Sequence, residues 1–333
     1  MYCRLLPISE FSTVALRWDD INREHYSHPL LESRFVSHTL RYFGNGQEQI
    51  ALLGAEKDPD AIAVLAKNRL ASWGVLQASQ SPLGALIVKP GIAPPSLVKA
   101  LFDQLPRSCQ VLSVTQQDPD ILPRPESTPT LGTLDYIDTA RITVDGSFEE
   151  YWASRGKNLR HNMKRQRNRL EREGIDLRLE ILTQPGDMYE GVRDYGDLES
   201  AGWKTGKGTA VHVENAQGRF YADLLKDYAS TGDAGIYRFF YGDRLAAVDL
   251  CIWNESVFVI LKTTYDESVN KSSPALLMRR EYFPPIFESR MVERIEFYGK
   301  VMDWHTKWSD EIRTLYHING YRNALVARLH NRR

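Results

Sequence analysis

The stretch Thr264–Pro274, TYDESVNKSSP, sets a lysine and two serines directly ahead of a helix-forming run. A helix N-terminus carries unsatisfied N–H groups and a partial positive charge, so it can seat a phosphate. Lys271 and the hydroxyls of Ser272 and Ser273 suit that task, with Arg279 and Arg280 available on the helix itself. A plainer reading fits equally: one serine caps the helix and Pro274 occupies its first turn. A second chemical signal is Asp249, alone in the apolar run LAAVDLCIW. A carboxylate there is costly unless it is paired, functional or turned to solvent. Strand alternation puts it on the face of Ala247 and Cys251.

The third signal is a basic block. Arg155, Lys157, Arg160, Lys164, Arg165, Arg167, Arg169 and Arg172 are opposed only by Glu171 and Glu173. Such a block marks either a phosphate-rich partner or an amphipathic helix whose Arg stems cover a core. Leu159, Met163 and Leu170 supply the apolar stripe that the second reading needs. His161, His212, His305 and His317 lack the short spacings of a metal site, so no metal is expected. No GxSxG and no GxGxxG occurs, which speaks against a hydrolase elbow and a dinucleotide fold.

Elements must position these groups. Leu16–Phe43 reads as mostly helical, and short β-rich runs follow at Gln49–Ala55, Ala61–Ala66 and Gly84–Val88. A helix opens at Pro94-Pro95, and Gln110–Thr115 is a buried strand. The prolines between Asp118 and Pro129 forbid regular structure and mark a border, before a strand at Tyr136–Val144. Phe148–Glu173 is helical up to the stop at Gly174. A strand at Leu177–Leu182 and two helices lead to three strands, Gly235–Tyr241, Leu245–Trp253 and Ser256–Thr263. The helix from Pro274 should end at Pro284-Pro285, ahead of strands at Arg294–Tyr298 and Arg313–Ile318. The order is α+β. The first half repeats a weaker version of the second.

With 333 residues, two domains are expected. The net charge of -1 offers no global attraction to nucleic acid or membrane. Three dispersed cysteines form no disulfide framework, which suits the cytoplasm. No signal peptide and no membrane span is expected.

The stretch LKTTYDESVNKSSPALLM resembles the "K-x-x-YD…SPG…L" segment of the FemAB-like branch of the GNAT superfamily, which includes the CelD-like proteins found with cellulose and exopolysaccharide genes. The basic helix GKNLRHNMKRQRNRLEREG, the segment LESAGWKTGKGTA and the late IEFYGKVMDWHTKWSD agree, in order, from about Tyr151 to Trp308. This chain departs at Ala275, where the family often has Gly, and at Tyr298 in the late motif.

The resemblance implies two tandem GNAT-like units, each a mixed, mostly antiparallel sheet flanked by helices. Residues 1–144 form a degenerate N-terminal unit and 145–333 the acyltransferase unit. It implies an acyl-CoA co-substrate, acetyl-CoA or another. Val257, Val259, Leu261 and Lys262 would lie along its pantetheine arm; Lys271, Ser272, Ser273, Ala275 and Leu276 would hold its pyrophosphate. Lys307 would stabilise the reacting carbonyl with Trp308 beneath it, and Asp249 or Glu199 would serve as base. Trp203, Lys204, Tyr265, Asp266, Tyr298 and Trp308 would meet the acceptor, a small molecule, saccharide or peptide with an amine or hydroxyl. The alternatives are a Fem-type transferase using aminoacyl-tRNA and a non-catalytic acyl-CoA-binding module.

Overall fold

The computed structural model describes residues 2–69, 71–201 and 211–330. The chain packs as two compact units, each a mixed, mostly antiparallel sheet flanked by helices. The first runs to Thr139 and takes back the chain from Arg313; the second is Ala140–Ile312.

In chain order the first unit holds β1 (Cys3–Pro7), α1 (Phe11–His25), α2 (Ser33–Phe43), β2 (Gln49–Gly54), β3 (Pro59–Arg69), β4 (Ser72–Val75), β5 (Leu86–Val88), α3 (Pro94–Gln104) and β6 (Val111–Gln117). Next comes β7 (Leu131–Thr143), whose last residues belong to the second unit. The sheet runs β1-β2-β3-β4-β6, with β5 on β3, and β4 and β6 parallel. Its core joins Leu53, Leu65, Leu97, Leu101, Leu112 and Val114.

The second unit continues with α4 (Phe148–Ser154), α5 (Lys157–Arg172), β8 (Leu177–Leu182), α6 (Met188–Ala201), α7 (Ala216–Ser230), β9 (Ala234–Tyr241), β10 (Arg244–Trp253), β11 (Val257–Tyr265), α8 (Pro274–Ser289), β12 (Arg294–Glu296) and α9 (His305–Trp308). β13 (Glu311–Tyr321) and α10 (Ala324–His330) close the chain. The sheet order is β7-β12-β11-β10-β9-β8, antiparallel except for β11 and β12. Phe239, Ala247, Cys251, Phe258 and Ile260 meet Leu277, Met278 and Phe283 of α8 in one core. The α5 stripe of Leu159, Met163 and Leu170 joins it.

Three details differ from the sequence reading. The segment from Arg313 pairs with β6 of the first unit, where Tyr316 and Ile318 enter the core; the sequence leaves this tail with the second domain. α8 runs past Pro284 and Pro285 to Ser289, because Phe283 and Phe287, 0% and 1% exposed, hold its last turns in the core. β12 is only three residues long, since Tyr298 takes a left-handed φ of 45°. Among the described residues no helix is long and apolar enough to cross a membrane.

Candidate active site

The site begins where two parallel strands part. β11 and β12 stay in register only for Val257↔Arg294, Phe258↔Ile295 and Val259↔Glu296. β11 then continues to Tyr265 beside β10 alone. Its register with β10 shifts between Leu250 and Cys251, leaving Leu261 opposite no residue. A bulge of this kind frees backbone groups from the ladder and re-aims the strand. Leu261 thus stands where the strands part. Val257 and Val259 do not: both are 0% exposed and lie where the strands are still paired. Lys262 points to the opposite face, its Nζ 5.8 Å from the Tyr221 ring centroid.

α8 starts at this opening. Ser273 precedes it with φ 55°, and its side chain makes no capping bond. The N–H groups of Leu276 and Leu277 already donate to the Ser273 carbonyl, at 3.0 and 3.1 Å. Pro274 has no N–H, so Ala275 carries the first-turn N–H that lacks a backbone acceptor. Ser272, expected as a phosphate ligand, is 2% exposed. Its hydroxyl donates to the Val269 carbonyl at 2.6 Å and accepts from the Tyr241 hydroxyl at 3.0 Å, so it works inside the fold. Lys271 is exposed.

A cavity of about 150 Å³ lies between β11 and the first turns of α8, lined by Thr263, Tyr265, Ser273, Ala275, Arg279, Trp304 and Lys307 among others. Arg279 lines it from α8 and is paired with Asp249 behind it, their side chains 1% and 0% exposed. Arg279 Nε and Nη2 donate to the two Asp249 oxygens, each at 3.0 Å, and Nη2 also donates to Thr263 Oγ1 at 2.7 Å. The Tyr282 hydroxyl donates to Asp249 Oδ2 at 2.7 Å. Asp249 is therefore no free base: it is fully buried and the two-point pair with Arg279 matches its charge. The Arg279 guanidinium lies 4.4 Å from the Trp304 ring centroid, and Trp304 stacks on His305 at 3.5 Å. Burial, then the Arg279 charge, press the His305 pKa down to about 4, so the ring stays neutral. Arg279 keeps its Nη1 group without a partner among the described residues.

Glu199 lies on the other side of β11. It is 7% exposed; Oε2 accepts the Val211 N–H at 2.7 Å and Oε1 the Tyr195 hydroxyl at 3.2 Å. That hydroxyl also reaches the Thr263 carbonyl at 3.3 Å, which ties Glu199 to the part of β11 beyond the bulge. Burial first, and then the Glu199 carboxylate, hold the Tyr195 hydroxyl protonated far above its ordinary range. Trp203 and Lys204 lie outside the described residues.

The other expected contacts divide. Tyr265, 41% exposed, faces the small cavity. Asp266 is a cap: it accepts from the Ser268 N–H at 2.9 Å and pairs with Arg244 at 2.6 Å. Tyr298 is 7% exposed and lines neither this cavity nor the larger one beside α5. Trp308, expected at the acceptor, is 0% exposed and packs between Trp152 and Phe283, with centroids at 5.5 and 4.9 Å. Its place is the core, and its carbonyl accepts from Tyr151 and Arg155. Lys307 is exposed and stands by the start of α8, on both cavities. The sequence reading missed Tyr195, Thr263 and Trp304. It named Arg279 without its partner, although Leu276, Arg279 and Phe283 share one helical stripe and mark Arg279 as inward-facing.

Residues 157–306 match the family model of the acetyltransferase (GNAT) domain. The match lies within the second unit, which is thus similar to that domain. FemX is similar in structure at a TM-score of 0.60 and 10% identity, over 99% of each chain. The C-terminal domain of a putative lysylphosphatidylglycerol synthetase from Agrobacterium fabrum is similar at 0.57 and 11%, covering 97% of this chain and 96% of that one. L-PGS from Bacillus licheniformis is similar at 0.52 and 15%, covering 96% of this chain and 97% of that one. At such identities the likeness is one of fold. No curated protein matches the sequence.

Proposed function

We propose that the second unit transfers an acyl group from an acyl-CoA thioester to an amine or hydroxyl of a small-molecule, saccharide or peptide acceptor. The observation that carries this reading is the parting of β11 from β12 at a bulge, directly beside the start of α8. The thioester supplies an activated carbonyl and a thiolate leaving group. The residues present suit it: the open edge of β11 offers backbone partners to the arm's amides. The Ala275 N–H, the Ser273 hydroxyl and Lys271 suit a pyrophosphate.

Glu199 is the base in this scheme. It takes the acceptor's proton as the C–N or C–O bond forms and the C–S bond breaks. Tyr195 orients Glu199 and ties it to β11. In this scheme a backbone N–H freed at the Leu261 bulge would meet the carbonyl oxygen, where charge develops. Lys307, placed by the start of α8, serves the donor's phosphates in this reading rather than the carbonyl. Glu199→Gln should lower turnover by about 100-fold to 10,000-fold with donor affinity unchanged. Thiol release against a panel of amines, amino sugars and peptides reads it. A variant retaining more than about a tenth of wild-type turnover, far above that range, removes Glu199 as base.

The aminoacyl-tRNA alternative draws on Lys157 and Lys164, exposed on α5. Retardation of tRNA by the wild-type chain at low salt, weakened steeply by added salt, would favour it.

A further inference from the structure

A groove of about 630 Å³ lies between α5 and α8, apart from the cavities beside the start of α8. It shares only Met163 with the larger of them and nothing with the smaller. Its volume is that of a small-molecule site, about 300–1,000 Å³. The apolar part of its lining is Met163 and Leu277, 5% and 3% exposed, with Trp152 and Pro284. Five cations stand around them, Lys157, Arg160, Lys164 and Arg167 of α5 and Arg280 of α8, against one carboxylate, Glu281. Arg167 already holds Glu281. Lys157, Arg160 and Lys164 have no ion pair among the described residues. Arg160 donates only through Nε, to the Arg155 carbonyl at 3.1 Å, so both of its terminal NH2 groups are left over.

A solvated basic helix accounts for cations on α5, but not for where they are paired. The last turns of α5 match each cation with an acid four residues on, Arg167 with Glu171 and Arg169 with Glu173. The turns that face the groove contain no acid at all. Arg160 and Lys164, four residues apart, repel each other there, and Lys157 and Arg167 extend the row. An anion in the groove offsets that repulsion. A basic helix also leaves Arg280 unexplained. It reaches the groove from α8 and lies over the Trp152 ring, 5.2 Å from the centroid, so cation and aromatic surface meet in one place. The chain's net charge of -1 rules out a by-product of general basicity.

We propose that this groove binds a nucleoside triphosphate. The phosphates meet Lys157, Arg160 and Lys164, and the base lies on the apolar lining beside Trp152. Such a ligand carries about four negative charges at neutral pH, which suits five cations and one carboxylate. A monophosphate leaves most of these cations unmatched, and a polyphosphate without a base leaves the apolar lining bare. Among the described residues no Asn or Gln lines the groove, so the base is held by its face and its identity is read weakly. Arg280 follows Arg279 directly, so one turn of α8 faces both this groove and the candidate active site.

Calorimetric titration of the wild-type chain with ATP, AMP and tripolyphosphate, with and without saturating CoA, tests this. ATP should bind about tenfold or more tighter than either AMP or tripolyphosphate, and CoA should leave its affinity unchanged. Lys157→Gln combined with Lys164→Gln removes two exposed, repelling charges and should not lower the melting temperature. It should weaken ATP about tenfold or more and leave CoA binding as before. Displacement of ATP by CoA overturns the proposal, because the groove would then belong to the donor's site. Equal binding of ATP and tripolyphosphate overturns it too, leaving a general anion patch. A chain that retards tRNA but binds no ATP does the same. A chain that binds ATP but no CoA upholds the groove and sinks the acyl-CoA reading alone.

Discussion

Each unit contains a pair of parallel strands joined by a helix, and the two pairs end differently. In the first unit β4 and β6 hold register for Ser72↔Val111, Trp73↔Leu112 and Gly74↔Ser113, with α3 as the connecting helix. In the second, β11 and β12 hold register for three positions, with α8 between them. Each second strand meets a left-handed residue, Gln116 at φ 50° and Tyr298 at φ 45°. The first unit fills its gap with its own chain. The Gly84 N–H donates to the Gln116 carbonyl at 3.2 Å and the Ala85 N–H to the Leu76 carbonyl at 2.9 Å. α3 opens with Pro94-Pro95 behind Ala93, so two N–H donors are missing and no side chain caps it. The second unit leaves its gap open and lines it with Arg279, which pairs with the buried Asp249. The same crossover thus makes a sealed core or a site, and the difference lies in what occupies the gap.

The largest expected effect concerns the charged pair. Asp249→Ala leaves Arg279 buried and uncompensated and should cost about 3–5 kcal/mol. A denaturant titration measures it. A loss below about 1 kcal/mol, the range of exposed pairs, would mean that the pair is wet and the gap wider than described.

Next comes the plug. A Cβ on Gly84 would stand 2.4 Å from the Thr115 carbonyl oxygen. Gly84→Ala should therefore destabilise by about 1–3 kcal/mol, the usual cost of overpacking, with CoA affinity unchanged. If CoA binding falls instead, the first unit takes part in it and the contrast between the units fails.

The smallest effect sharpens the comparison most. Ala275→Pro gives α8 the double-proline start of α3 and deletes the unused first-turn N–H. CoA affinity should fall about tenfold, or about 1.4 kcal/mol, with the fold retained. Calorimetry giving wild-type affinity would take that N–H out of the phosphate site.

Much of this architecture is legible in the residues. The meander of β9, β10 and β11 follows from alternating apolar runs separated by Gly242-Asp243 and Asn254-Glu255. The helix start at Pro274 follows from KSSP, and the inward stripe of α5 from Leu159, Met163 and Leu170. The site is legible in part. Asp249 was marked by its cost in an apolar strand, yet the same signal fits a base, a solvent-facing residue and an ion pair. Ser272 and Ser273 are indistinguishable as letters. One hydroxyl is buried against Tyr241 and Val269, and the other stands at the head of α8 without a capping bond.

The sequence by itself determined the α+β order, the two-unit organisation, the strand–loop–helix that leads from β11 into α8 and the lone carboxylate needing an explanation. Periodicity and turn chemistry are local, so a short window contains them. Only the tertiary structure decided that Asp249 meets Arg279, 30 positions away. It also decided that Trp308 is core, that β12 breaks at Tyr298 and that one gap is plugged while the other stays open. Those outcomes depend on register and on which side chains reach a shared space, and both are set by the packing of distant segments.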